Sequence, residues 1–463
     1  MGAFTNVRAY VSADFISTAQ GIFVEPIWKA RTDPAEGLDS WIAALNAKGC
    51  TPIICVNQTP TWLWGGSAAR SPITKAEAQA PADYYEPHSS FKEYVANGGK
   101  QKARSMGAEL SPDHPPIQPG ASRTDPASYA AYAKIFGELA KRYGSKKFAA
   151  ESLWVNSTPR WTNDPPNQRV SGLNLKVGFE CWNEPDKWWR MNDGSGVYMQ
   201  PEEYAALFAA CYAAVKEVDT SLQVYNAGFT GFDRSYMERF IAALKAMGKP
   251  MPDAFTVHHY SHAGNNLGQW PPTWWDGGAC APELDKDFAG VLPLVELAKA
   301  NGRELWVTEF GVDTRGPSWM WAKPVGGKNS EQLQSEWLLR TMLEYMRLGV
   351  GRAMLFNAND EAGALNGGLY VNSGILYGEG EPGKIFAPKP AYATLVAAVA
   401  ELKGLRFIKE ESTPTVRIMR FEGGGKTVWA YWKPTADGTV ADAVVGGTAL
   451  QAKESVQFKR AGQ

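Results

Sequence analysis

The sequence predicts an α/β protein: a (β/α)8 TIM barrel followed by a small C-terminal antiparallel β module of sandwich type. Three observations carry this. Short apolar runs alternate with amphipathic helical stretches for about four hundred residues, as parallel βα units require. Two of those runs close on a glutamate, Glu184 just past one and Glu309 ending another, where a barrel builds its active site. Beyond Gly404 the pattern becomes short alternating runs (TVRIMRF, KTVWAYW, SVQFKR) split by Gly-rich turns. The expected division is therefore 1–403 for the barrel and 404–463 for the module.

The strand-like runs, in order, are 7–11, 52–57, 176–182, 222–226, 254–260, 304–309 and 352–357. Helical patterns fall between and after them. One opens at Asp125-Pro126, where Asp can cap and Pro suits the first turn, and closes at Gly144. Another opens at Pro201-Glu202-Glu203, acids favoured by the helix dipole, and runs to Val218. Others cover 39–48, 234–247, 288–301, 330–348 and 390–402. A Pro/Gly/Ser-rich segment between Asn57 and Asp125 reads as a lid or ligand wall on the strands' C-terminal face. No internal repeat is present. Seven strands are named and a closed barrel needs eight, so one escapes the pattern or lies upstream of Met1 in a longer parent.

Composition excludes several classes. The charge sum is 47 − 48 = −1, which offers nucleic acid or an anionic membrane surface no general attraction. With 44% hydrophobic and 21% charged residues, the 463-residue chain can build a large core. Five scattered cysteines form neither a disulfide framework nor a Cys-x-x-Cys zinc motif. The longest uncharged helical stretch, 204–215, is too short to span a bilayer. The N-terminus has no basic region leading into an apolar one, and Asn6 breaks the myristoylation pattern. The expected location is extracellular or periplasmic if the N-terminus is incomplete, otherwise cytoplasmic. Eighteen tryptophans fill core, or stack flat faces on sugar rings.

The chemistry concentrates in GFECWNEPDKWW and ELWVTEFGVDT. A glutamate closing a buried strand is costly to ionise unless it is partnered or does work. Two such carboxylates in one cleft push their pKa values apart, leaving one acid and one anion, the equipment for glycosidic bond cleavage. The bland reading of each is a strand-end residue in a salt bridge.

These paired motifs resemble the clan A glycoside hydrolases, retaining (β/α)8-barrel enzymes. There Asn-Glu-Pro at the end of strand four carries the acid/base, and a Glu ending strand seven is the nucleophile. The resemblance implies Glu184 as acid/base and Glu309 as nucleophile, with carboxyl groups about 5–5.5 Å apart, and Asn183 on the sugar 2-hydroxyl. VRAY, DSWIAALNAKGCTPIICVNQTPTWLW, FECWNEPDKWW, EEYAALFAACYAAVKEVDTSLQV, FTVHHYSH, LWVTEFG and KPAYATLVAAV look most like family 39, the β-xylosidase and α-iduronidase type, in the expected order over most of 7–400. The pair itself marks the clan, which also holds families 5, 30 and 51.

Further residues fit the same site. In VHHYSH, adjacent His258 and His259 point to opposite faces of a strand, so the motif with His262 does not gather metal ligands. His258 and Tyr260 share the inward face, and the resemblance has this pair contact nucleophile and substrate. A Tyr hydroxyl donating to Glu309 would keep it ionised. Arg8 matches the position from which an Arg steadies the nucleophile in the clan; an ordinary surface Arg is the bland alternative. The chain departs from the clan after its last strand, where LFNANDE puts Phe356 and Asn357 in place of a Trp floor. Trp188, Trp189, Trp319 and Trp321 could supply aromatic walls. Asp360 and Glu361 read first as solvated loop charges. The expected partner is an oligo- or polysaccharide, with no metal or organic cofactor and no signal for oligomerisation. The rivals are a sugar-binding protein on an enzyme-like barrel, and a Schiff-base aldolase, which lacks a Lys at any predicted strand end.

Overall fold

All seven apolar runs are strands: the first two extend by a residue past the hydrophobic pattern, the sixth is shifted by one residue, and the others are trimmed by one or two residues at an end. They are β1 (Asn6–Ser12), β2 (Thr51–Asn57), β3 (Gly178–Cys181), β4 (Gln223–Asn226), β5 (Phe255–His258), β6 (Leu305–Phe310) and β7 (Arg352–Leu355). This computed structural model describes residues 6–17, 23–24, 37–60, 62–65, 85–86, 102–103, 116–117, 120–157, 166, 168–186, 199–231, 234–261, 278–316, 318, 320–361, 369–434 and 438–462. Most of the long segment between Asn57 and Asp125 lies outside them, as do Trp188, Trp189, His262 and Trp319. By compactness the chain divides into Met1–Val257 with Ala300–Arg303, and His258–Lys299 with Glu304–Gln463.

In the first unit β1, β2, β3 and β4 pair in parallel in that order. Strands β3 and β4 are buried nearly throughout, which explains why their sequences lack the apolar/polar alternation of a half-exposed strand. Gly178 opens β3 because Tyr225 of β4 lies across it; a Cβ there would come within 2.5 Å of the ring. Outside the strands run α1 (Leu38–Ala47), α2 (Ala130–Tyr143), α3 (Pro201–Val218) and α4 (Arg234–Ala246). Asp125 caps as its sequence suggests, accepting from Ala127 N at 2.9 Å, although the first turn, Pro126–Tyr129, is 3-10. Gly144 ends α2 without a left-handed turn. It is required for space, since a Cβ would sit 2.6 Å from Ala140 O and 3.0 Å from the Asp219 carboxylate. Phe229, Tyr204, Phe208, Phe240 and Phe255 bind α3 and α4 to the sheet through edge-to-face contacts. Removing one such ring from a core costs about 3–5 kcal/mol.

In the second unit β6 pairs in parallel with β7, and α5 (Val291–Ala300), α6 (Ser330–Leu348) and α7 (Pro390–Leu402) follow the expected ranges. Asn329 and Gln332 close a reciprocal capping box on α6, and Gly349 ends it in the left-handed region. The module has β8 (Arg406–Glu410), β9 (Arg417–Gly423), β10 (Lys426–Trp432) and β13 (Gln457–Arg460) in one antiparallel sheet. The hairpin β11 (Ala441–Val445) and β12 (Thr448–Ala452) shares a core with that sheet through Ile418, Trp429, Tyr431 and Val445. Buried Arg340 of α6 reaches Glu454 O, and Arg417 of β9 bridges to Glu344, tying module to helix.

Candidate active site

The first unit gathers Arg8, Tyr10, Glu180, Asn183, Glu184 and Asp186. Arg8, on β1, is no surface residue: its side chain is 5% exposed and ion-paired with Glu180 of β3, itself fully buried. Parallel pairing puts β2 between those strands, so the long Arg side chain reaches across one strand to neutralise the carboxylate. The same guanidinium donates from Nη2 to Asn183 Oδ1 at 2.8 Å, and Tyr10 Oη donates to that oxygen at 3.1 Å. Two donors on Oδ1 fix the amide's orientation, leaving its NH2 group to donate elsewhere.

The turn carrying Asn183 and Glu184 is strained. Trp182 (φ 78) and Glu184 (φ 47) are both left-handed without being glycine. Trp182 is held by its N–H on Val56 O and by its buried ring edge-on to Tyr132; Glu184 is held by its N–H on Gly228 O at 3.1 Å. Gln58 (φ 69), directly beyond β2, and Asn357 (φ 65), two residues past β7, show the same conformation. Strain of this kind, repeated past the C-terminal ends of parallel strands, marks where a barrel places function. Asp186, two residues past Glu184, is buried and accepts from Thr230 N and Oγ1. Burial, aided by the charge of Glu184, pushes its carboxyl up to about 7.

The second unit gathers His258, Tyr260, Glu309 and Phe356. Glu309 lies on β6 with 4% exposure. Tyr260 Oη donates to Glu309 Oε2 at 2.7 Å, and His258 Nε2 lies 3.4 Å from Oε1. The alternation read from VHHYSH holds: His259 turns the other way, meeting Tyr345 Oη at 2.7 Å and Asp285 Oδ2 at 2.8 Å. Phe356 packs edge-on to Tyr260 at 6.3 Å and to Tyr370 at 5.1 Å, and Tyr370 lies 4.9 Å from Tyr260. A wall of three aromatic rings thus stands beside the Glu309 carboxylate.

Two expectations need correction. Asp360 is 2% exposed and pairs with buried Lys389 at 2.7 Å, so it is no solvated loop charge. Trp321 donates its indole N–H to Ser330 at 3.0 Å and presses its ring on Gly316, so it packs its own loop. Four residues escaped the sequence reading: Glu180, Asp186, Asp313 and Tyr370. Glu180 was legible as the one charge inside GFEC, and Asp186 as the acid following Asn-Glu-Pro; Asp313 and Tyr370 carried no local signal.

No family model and no curated protein matches the sequence. Solved structures do match. A family 39 glycoside hydrolase from the gut symbiont Bacteroides cellulosilyticus WH2 aligns over 99% of this chain and 75% of its own, at 17% identity and TM-score 0.57. The chain shares that enzyme's (β/α)8-barrel fold. The β module after the barrel is included, since the alignment spans nearly the whole sequence. A glucosidase from Croceicoccus marinus aligns over 99% of this chain and 75% of its own at 13% identity and TM-score 0.47. A GH30 endoxylanase from Clostridium papyrosolvens C71 aligns over 98% and 92% at 12% identity and TM-score 0.45. Among the described residues no helix is long and apolar enough to cross a membrane.

Proposed function

We propose that the chain is a retaining glycoside hydrolase acting on an oligo- or polysaccharide, with Glu309 as nucleophile and Glu184 as acid/base. One observation carries the reading: the Tyr260 hydroxyl donates to the carboxylate that ends a buried strand, a bond favouring its anionic, nucleophilic form. Glu184 follows the end of a parallel strand, three residues past Cys181, and in a (β/α)8 barrel those ends make one catalytic face. Glu309 attacks the anomeric carbon while Glu184 protonates the leaving oxygen, giving a covalent glycosyl-enzyme. Glu184, now anionic, then takes a proton from a water that attacks the anomeric carbon, breaking its bond to Glu309 and releasing the sugar with its configuration retained. Asn183, its oxygen held by Arg8 and Tyr10, offers N–H to a sugar hydroxyl, and Arg8 steadies the anionic side of the site. His258 and Phe356 contact the sugar beside Glu309, and Trp188 adds an aromatic surface. No metal or organic cofactor takes part.

The test is a panel of aryl glycosides and β-linked polysaccharides, with products followed by reducing ends, mass and anomeric NMR. Wild type releases product with retained configuration, Glu309→Ala is inactive, and Glu184→Ala keeps activity only on aryl glycosides whose leaving group needs no proton. Inverted product, or undiminished turnover by Glu309→Ala, overturns the assignment. Binding without turnover by wild type would favour a sugar-binding protein.

A further inference from the structure

The loop beyond Glu309 holds a carboxylate that the chemistry above does not use. Asp313 is fully buried. Its Oδ2 accepts from Tyr370 N at 2.9 Å and Ser318 Oγ at 2.5 Å, and its Oδ1 accepts from Asn372 N at 3.2 Å. Its backbone is clamped as well, donating to Met320 O at 2.7 Å and accepting from Ala322 N at 2.9 Å. The segment it grips is strained, with Tyr370 at φ 68. Non-glycine residues hold that conformation only where their surroundings over-determine it. The Tyr370 ring lies 4.9 Å from Tyr260, whose hydroxyl donates to Glu309.

We propose that Asp313 is a positioning residue for catalysis: it holds the 370–372 backbone so that the Tyr370 ring presses Tyr260 into place and fixes the hydroxyl donating to Glu309. The proposal rests on the reading of Glu309 as nucleophile. A carboxylate suits the task because three donors converge on it and both its oxygens accept. An amide offers one accepting oxygen and sets an NH2 against a backbone N–H. Lys389 holds the far side of the same turn, donating to Asn372 O at 3.2 Å, Thr314 Oγ1 at 3.1 Å and Asp360 Oδ1 at 2.7 Å.

The clamp is pH-sensitive. Burial raises the Asp313 carboxyl to about 6, against the lowering by its three donors and by Lys389, the cation facing it. The network's other charges include Asp360, bonded to Lys389; Arg315, acting on Asp360 and ion-paired with Glu381; and Glu331, acting on Lys389. Protonation removes an acceptor, so the grip loosens as pH falls through about 6.

The experiment compares wild type, Asp313→Asn, Tyr370→Ala and the double variant, with kcat and KM measured from pH 5 to 8 and folding checked by circular dichroism. Asp313→Asn lowers kcat about tenfold or more at pH 7.5 with little change in KM, and its deficit shrinks toward pH 5 as wild-type Asp313 becomes neutral. Tyr370→Ala, which leaves the clamp intact, produces a similar loss, and adding Asp313→Asn to it costs little more. Full kcat for Asp313→Asn, or multiplying losses with a pH-independent ratio, overturns the proposal. If Asp313→Asn fails to fold, wild-type kcat for Tyr370→Ala does the same. Glu309→Ala serves as control: its inactivity upholds the nucleophile assignment whatever Asp313 does, and its activity sinks that assignment instead.

Discussion

Tyr260 Oη lies 2.7 Å from Glu309 Oε2 and donates to it, two residues beyond His258, whose Nε2 is 3.4 Å from the other carboxylate oxygen. A strand-end tyrosine is thereby committed to one oxygen of the proposed nucleophile. Removing the hydroxyl withdraws a bond favouring the charged form, so the proton affinity of Glu309 rises. In Tyr260→Phe the acid limb of the kcat/KM profile moves to higher pH, because the lost bond is one made to the charged form. The pH dependence of turnover in both proteins checks this, and an unmoved acid limb contradicts it.

Arg8 and Glu180 form a buried ion pair, so the cost of breaking it far exceeds the cost of losing a surface bridge. Arg8→Met removes the buried cation paired with Glu180 and is expected to cost about 3–5 kcal/mol in urea unfolding at pH 7. Arg8→Met with Glu180→Gln recovers much of that stability. It does not recover activity, because Asn183 has lost the guanidinium that holds its oxygen.

Gly374 is packed against main chain. A Cβ there would overlap the backbone of Asn359 and Asp360, atoms that cannot swing aside as a flexible side chain can. Gly374→Ala must displace Asp360 from Gly374 N and from Lys389, and is expected to cost about 2 kcal/mol or more by thermal unfolding. Gly383→Ala is the control, since its φ of 78 brings only local strain and its Cβ meets nothing.

Asp219, at the end of α3, accepts from the N–H and hydroxyl groups of both Ser145 and Ser221, which hold its carboxyl well below the usual range. A depressed carboxyl stabilises the fold above its unfolded pKa of about 3.9, and the contribution is lost as pH falls toward the folded value. Wild type is therefore more stable than Asp219→Asn at pH 6, and the gap narrows steadily below pH 4. Raised carboxyls act oppositely: Asp186, at about 7, binds its proton more tightly when folded. Its contribution to stability is full below about pH 4 and declines as pH rises to about 7. Denaturant titrations at pH 3, 4, 6 and 8 separate the two signs.

Much of the fold was legible because the barrel elements are locally consistent. Buried parallel strands are written as largely apolar runs, and the helical segments opening at Pro126 and Ser330 carry caps at their starts. Glu184 and Glu309 were legible for a related reason, as ionisable groups ending runs that otherwise exclude charge. The alternation rule separated His258 from His259, because a strand sends neighbours to opposite faces.

The partners of these residues were not legible. Arg8 and Glu180 are 172 positions apart, and Asp313 and Tyr370 are 57 apart. Asp360 reads as a loop charge in LFNANDE and becomes a buried anion only because Lys389 folds beneath it. The sequence by itself determined the periodicities, the strand and helix positions and the two strand-end carboxylates, since hydrophobic pattern and capping act within one turn or strand. The tertiary structure alone decided which charges are buried and paired, which amide oxygen is held and which ring presses on Tyr260. Those depend on desolvation and on contacts between distant segments, and no local pattern encodes either.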